Sequence, residues 1–251
     1  MRWFRSLDPK AKLRLFCFAH AGGGLADYRR WAGRLPEGVT VDPVVLPGRE
    51  QRMAETAFQR MEPLIDDLMP ELFDLADETP YALIGHSMGA WVAFEACRRL
   101  RDEGSPLPQT LVVIARRAPD IPATLPPLSG LPEQLFLGAV QDRYGPFPAA
   151  LLDHPSLLRL FVPALRADFS VLDNYTYREG RPLPVPIVTI GATEDDTVSQ
   201  ADLDGWSRHS VHPLQQRMLE GGHFLPREPS SGLLETILEH IDLTEESRHS
   251  F

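Results

Sequence analysis

Residues 81–104 read Tyr81-Ala82-Leu83-Ile84-Gly85-His86-Ser87-Met88-Gly89-Ala90-Trp91-Val92-Ala93-Phe94-Glu95-Ala96-Cys97-Arg98-Arg99-Leu100-Arg101-Asp102-Glu103-Gly104, and no other stretch constrains the architecture as tightly. Tyr81 to Ile84 is a short apolar run of strand type, ended by glycine. From Met88 the period changes: Val92, Ala93, Ala96, Cys97 and Leu100 form one stripe of a helix, while Arg98, Arg99, Arg101 and Asp102 face outward. Gly104 then stands where a helix C-terminus needs a residue with positive φ. A strand that turns into a helix within three residues is half of a βα unit, so a parallel sheet is expected.

Working outward, the same alternation recurs. Besides the strand at 81–85, strands are expected at 13–18, 39–46, 110–115, 187–191 and 215–219; they are short and mainly apolar, as where both sheet faces are covered. Helices are expected at 27–35, 61–77, 88–103, 201–208 and 232–241. The fold class is therefore α/β, a mostly parallel central sheet flanked by helices, in a single domain over residues 1–251. The 24 prolines exceed ordinary usage and crowd between Pro106 and Pro148. They lead into Leu151, Leu152, Leu157, Leu158, Phe161, Leu165, Phe169 and Leu172, which are apolar at helical spacing. Residues 119–177 thus read as an insertion between two strands, placed where a lid would be.

Composition bounds the function without naming it. A chain of 251 residues, 43% apolar, can bury a sizeable core. A net charge of −10 argues against a general nucleic-acid binder, which needs a basic face. No apolar run reaches the roughly 18–20 residues of a membrane span, and residues 1–12 lack the apolar segment of a secretory signal. Cys17 and Cys97, far apart and in apolar surroundings, read as buried free thiols in a cytoplasmic protein.

Gly85-His86-Ser87-Met88-Gly89 matches G-x-S-x-G, a turn that holds a serine in a strained conformation with its hydroxyl exposed. The bare pattern arises by chance about 0.1 times in a chain this long; the strand before it and the helix after it give it weight. Serine needs a base. Of eight histidines, His86 is expected to point away from Ser87, and His154, His209, His212, His240 and His249 lie in polar or helical surroundings. His223, in Glu220-Gly221-Gly222-His223-Phe224, follows the last strand in a glycine loop and takes the last place in the order serine, acid, histidine. The acid comes from Gly191-Ala192-Thr193-Glu194-Asp195-Asp196; spacing alone does not choose, and Asp195 is taken first, Asp196 second. Oxyanion donors are assigned to the backbone N–H of Met88 and of Ala21, the latter in His20-Ala21-Gly22-Gly23-Gly24. That glycine run lacks the Lys-Ser/Thr ending of a phosphate loop and the later acidic partner of a dinucleotide site.

Taken together, these residues resemble the stand-alone (type II) thioesterases of non-ribosomal peptide and polyketide synthases, over residues 15–241. The resemblance rests on Phe18-Ala19-His20-Ala21-Gly22-Gly23, Leu46-Pro47-Gly48-Arg49-Glu50, the serine motif, Arg116-Arg117-Ala118-Pro119, Leu165-Arg166-Ala167-Asp168-Phe169 and Gly221-Gly222-His223-Phe224. It implies an α/β-hydrolase fold with a helical lid at about 119–177, and a triad of Ser87, Asp195 and His223. The departures are Asp196, where a proline commonly follows the acid, and Ile114-Ala115 in place of Ser-Gly. The implied reaction is hydrolysis of acyl thioesters, including stalled or misprimed ones, from the phosphopantetheine arm of acyl or peptidyl carrier proteins. A role in antibiotic biosynthesis goes with the resemblance; no cofactor or metal of its own is expected, and with composition pointing to a cytoplasmic protein without a nucleic-acid or membrane partner, a monomer is the default expectation. A first strand near Leu13 leaves no room ahead of it for a fused carrier, which suggests action in trans.

Two other classes stay open at this point: a carboxylester hydrolase or lipase on the same scaffold, and a non-catalytic binding protein of hydrolase fold. An acidic enzyme and an acidic carrier need a local basic patch, for which Arg116 and Arg117 are candidates. Arg49 reads as a turn-stabilising residue, and the apolar residues of 151–172 as pocket lining or lid packing.

Overall fold

The computed structural model describes residues 2–4, 7–228 and 232–243; His249 lies outside them. Six strands, β1 (Leu13–Phe18), β2 (Val39–Pro43), β3 (Tyr81–His86), β4 (Leu111–Ile114), β5 (Ile187–Ala192) and β6 (Gln215–Leu219), form one sheet in the order β2-β1-β3-β4-β5-β6. Every neighbouring pair is parallel. Among the described residues eight helices accompany them: α1 (Leu25–Tyr28), α2 (Met61–Glu78), α3 (Met88–Glu103), α4 (Glu133–Tyr144), α5 (Ala149–Leu152), α6 (Pro155–Asp173), α7 (Gln200–Asp204) and α8 (Leu233–Leu238).

The two-residue side-chain period of the strands divides the core into two layers. Phe16, Phe18, Leu83, Leu111, Val113 and Ile187 face α2 and α3, where Leu64, Leu68, Leu72, Trp91, Ala96 and Cys97 meet them. Leu15, Cys17, Ala82, Ile84, Val112, Ile114, Val188 and Ile190 face the other way, onto Tyr28, Trp31, Leu234 and Ile237. Both cysteines are buried and free, one in each layer. The sheet's strand order reverses between β1 and β3, and α/β folds bind ligands in the crevice beyond the strand ends at such a point. The residues placed there are His20 and Ala21, just after β1, and Ser87, just after β3.

Several boundaries differ from the sequence expectation for identifiable reasons. The second strand stops at Pro43 instead of 46, because Val45 gives its N–H to the Trp3 carbonyl at 2.8 Å. The helix expected at 27–35 divides into α1 and a 3₁₀ turn at Ala32–Arg34; Leu35, ahead of Pro36, is forced to extended backbone and ends it. The helix expected at 201–208 becomes α7 plus a 3₁₀ turn, Gly205–His209, and starts with a capping box between Ser199 and Asp202. Strand β6 corrects the expectation of two covered faces: Gln215, Arg217 and Met218 are exposed on this edge.

The interval 119–177 holds α4, α5 and α6 between β4 and β5. Three of its prolines begin helices: Pro132 and Pro148 are N-caps, and Pro155 opens α6, whereas Pro163 lies inside that helix. The apolar periodicity of 151–172 is therefore not one helix; Leu151 and Leu152 belong to α5, and the remainder to α6. Leu128, Phe136, Val140, Leu165 and Phe169 form a small core of their own, which leaves Leu152, Leu157 and Leu160 exposed.

Candidate active site

Ser87 caps α3 with φ 53° and ψ −114°, a backbone region that non-glycine residues enter only when the surroundings force them. The forcing is visible. A Cβ on Gly89 would collide with the Phe18 carbonyl, and one on Gly85 with the backbone of Ala90, so β1, β3 and α3 approach more closely than any side chain permits. The turn leaves the Oγ of Ser87 3.0 Å from Nε2 of His223. On the other side of the ring, Nδ1 lies 2.7 Å from Oδ2 of Asp195. Residues from the ends of β3, β5 and β6 thus form one hydrogen-bonded chain, with Ser87 and His223 nearly buried. Asp196 is exposed and takes no part in it.

Burial alone would raise the Asp195 carboxyl; the hydrogen bond and charge of His223, with two bonds from Thr197, outweigh it and hold the carboxyl below its ordinary range. Those two bonds run from the Thr197 N–H (2.9 Å) and hydroxyl (2.6 Å) to Oδ1, so Oδ2 is left for the imidazole. Thr197 had no signal in the motif beyond its place two residues after the acid.

His86 also does more than its adjacency suggested. Its Nε2 donates to the His223 backbone carbonyl at 2.6 Å. A carbonyl only accepts, so His86 carries its proton on Nε2, and burial pushes it down to about 3, which keeps it neutral. Residue 86 therefore pins the loop that carries residue 223.

The loop after β1 is clamped from two directions. Asp168, from α6, accepts the Gly22 N–H at 2.7 Å and pairs with Arg49 at 2.6 Å; Arg49 in turn donates to the Gly23 carbonyl at 3.0 Å. Arg49 is thus more than a turn residue. From the other side Asp27 accepts the Gly24 N–H at 2.9 Å and pairs with Arg227, which donates to His20 Nε2 at 3.2 Å. Burial, together with the charges around it, drives the His20 pKa far down, and a neutral ring is what Arg227 requires. Ala21 between these clamps shares with Ser87 and His223 a cavity of about 140 Å³ whose walls are Val140, Tyr144, Phe147, Phe161, Leu165 and Phe169. Met88 is the first residue of α3, where the N–H groups have no partner inside the helix.

Arg116 requires a correction. It is 7% exposed, with its guanidinium 3.5 Å above the Trp91 ring, and is no part of a surface patch; Arg117 is half-buried over the same ring. Among the described residues no cluster of His, Cys, Asp and Glu could hold a metal ion. Nor is any helix of the described residues long and apolar enough to cross a membrane.

The thioesterase domain model matches residues 13–243. The gramicidin S biosynthesis protein GrsT of Aneurinibacillus migulanus is 32% identical over 96% of this chain and 94% of its own. Among solved structures, the RedJ thioesterase from the prodiginine pathway of Streptomyces coelicolor superposes with a TM-score of 0.85 at 33% identity, over 93% of this chain and 88% of its own. The type II thioesterase BorB from the borrelidin cluster gives 0.82 at 32%, over 96% and 98%. The chain belongs to the thioesterase family and has the α/β-hydrolase fold.

Proposed function

We propose that this thioesterase releases acyl groups from the phosphopantetheine arm of carrier proteins, with Ser87 as nucleophile, His223 as base and Asp195 as the acid that orients it. The observation that carries the reading is the unbroken chain Ser87 Oγ, His223, Asp195 at the floor of an apolar cavity. In it, the Ser87 hydroxyl gives its proton to Nε2 as Oγ attacks the thioester carbonyl. The N–H groups of Ala21 and Met88 stabilise the oxyanion, aided by the N-terminal dipole of α3. The C–S bond breaks, and the thiol leaves with the proton from Nε2. Water, deprotonated by the same nitrogen, then cleaves the acyl-serine ester to the acid. Asp195 stays ionised throughout and holds Nδ1–H in place.

The residues of 119–177 serve as the lid, with Tyr144 and Phe169 of α4 and α6 at the cavity wall. The protein acts in the cytoplasm as a monomer, in trans on the acyl or peptidyl carriers of a non-ribosomal peptide or polyketide synthase. Its work is the removal of stalled or misprimed groups, with no cofactor of its own beyond the arm the substrate brings. The relatives' roles in such pathways support this placement.

The test is intact-mass analysis of an acylated carrier protein incubated with the protein, beside acyl-coenzyme A and a matched oxygen ester. Loss of the acyl mass from the carrier, abolished in Ser87→Ala, is the expected result. A large kcat/KM preference for the oxygen ester assigns the protein to carboxylester hydrolysis instead.

A further inference from the structure

The described buried arginines follow a rule with one exception. Arg14 pairs with Asp42, Arg49 with Asp168 and Arg52 with Glu55. Arg116 is as buried as these, yet among the described residues it has no carboxylate partner, and its Nε–H has no acceptor. An uncompensated buried charge costs several kcal/mol. Stacking on Trp91 offsets part of this, but the guanidinium donors remain to be satisfied. Burial and the neighbouring Arg117 push Arg116 down to about 9, so it is still cationic at neutral pH.

Arg116 faces a second cavity, of about 470 Å³, lined also by Arg117, Tyr175, Thr176 and Thr197. This cavity meets the first at Tyr144, Phe169 and His223, which line both. Trp91, beneath the guanidinium, is four residues after Ser87 on α3, about one helical turn or 5.4 Å along the axis. Three carboxylates also stand at the walls, and each is committed elsewhere. Asp173 accepts the N–H groups of Leu128 and Ser129, Asp120 holds Arg208 and His209, and Asp202 caps α7 through Ser199. They leave three guanidinium groups at the wall, Arg116, Arg117 and Arg143, for an incoming anion; Arg117 and Arg143 already donate to the carbonyls of Ile121 and Pro126, and Arg116 is the buried one of the three.

We infer that this second cavity is a subsite for an acyl group that carries its own terminal carboxylate, with Arg116 as counter-ion, so that short dicarboxylic half-thioesters are substrates. The inference rests on the thioesterase reading above. The anion belongs to the acyl group because the other anion of a carrier-bound substrate, the phosphate, lies at the far end of the arm beside the carrier surface. A guanidinium 7% exposed and stacked on the buried Trp91 ring is too deep for it. The chemistry at the carbonyl is unchanged: Ser87 Oγ bonds to the thioester carbon, the thiol departs with its proton, and water releases the dicarboxylate.

Glutaryl- and pentanoyl-coenzyme A have the same carbon count and the same phosphates, so they isolate the terminal carboxylate. For the wild type, kcat/KM for the glutaryl thioester equals or exceeds that for the pentanoyl one. Arg116→Met lowers the glutaryl value by about tenfold or more, chiefly through KM, and leaves the pentanoyl value within about threefold; Arg116→Lys restores part of the loss. Equal loss on both substrates, or a wild type that rejects the glutaryl thioester, overturns the subsite. Should Arg116→Met fail to fold, glutarate against pentanoate as inhibitors of wild-type turnover decides the matter, and equal inhibition overturns it. If neither thioester is cleaved, the thioesterase reading fails for coenzyme A substrates and is decided by the carrier-protein assay above. Protection of Ser87 from a fluorophosphonate probe by glutarate and not by pentanoate then still reports on Arg116, and its absence overturns the site.

Discussion

Asp168 Oδ2 accepts the amide hydrogen of Gly22 at 2.7 Å, across 146 residues of sequence. Its other oxygen holds Arg49, which reaches back to the carbonyl of Gly23. One carboxylate on α6 thus fixes the peptide next to the proposed oxyanion donor Ala21, and the loop cannot shift independently of the helix.

Asp168→Asn should therefore lower kcat by about 10- to 100-fold, a fraction of what deletion of a whole oxyanion donor costs, with little change in KM. It should also destabilise the protein by about 3–5 kcal/mol, because Arg49 is left buried and unpaired. Arg49→Met combined with Asp168→Asn should recover much of the stability and none of the kcat. Steady-state kinetics and urea unfolding of the three variants check this; a kcat within about twofold of wild type in Asp168→Asn would show that the clamp does not set the loop.

Asp195→Asn should lower the rate by up to ~10⁴, on the scale known for triad acids, while Asp196→Asn, an exposed change, should leave it close to wild type. Thr197→Val removes the hydroxyl bond to Oδ1 but keeps the backbone one, so a loss of about tenfold is expected from one charge-assisted hydrogen bond. Single-turnover acylation rates rank the three; a larger loss in Asp196→Asn moves the acid by one position.

Acid should destabilise the fold well above the carboxylate range. His86 is held neutral down to about 3 when folded but takes a proton near 6.5 when unfolded, and His20 is shifted in the same direction. The unfolded state then binds more protons below 6.5, so each imidazole removes up to about 1.4 kcal/mol per pH unit as pH falls. Asp195, depressed when folded, adds its loss only below 3.8. Urea midpoints between pH 7 and 4 should fall steadily, and His86→Gln should flatten the slope. A midpoint constant over that window is incompatible with two buried neutral rings.

Gly89→Ala should prevent folding or lower the melting temperature severely, since the added methyl meets the Phe18 carbonyl. Gly138→Ala, on α4 with open space around it, should stabilise by about 0.5–1 kcal/mol from helix propensity alone. Thermal melts of both variants measure the contrast.

What sequence could show followed from periodicity and local sterics. The strand, elbow and helix at 81–104 are dictated by neighbours along the chain, and they appear where the pattern puts them. The loops bearing Asp195 and His223 were legible because strand ends are. Contacts made across the sheet were not. Nothing near Thr197 or His86 says that one will brace Asp195 and the other the carbonyl of residue 223. Arg116 looked like a surface charge because its burial depends on Trp91 and on residues 119–177 folding over it. The edge position of β6 is likewise a property of topology, which its five residues do not encode.

Cys17 and Cys97 lie sealed in opposite layers, and burial pushes the first thiol far up and the second up to about 12. Each round of the proposed reaction liberates a free sulfhydryl at the mouth of the protein. An accessible thiolate there would be open to mixed-disulfide formation with that leaving group whenever an oxidant was present. With no exchangeable sulfur at its surface, the enzyme can turn over thiol after thiol without being capped by its own product.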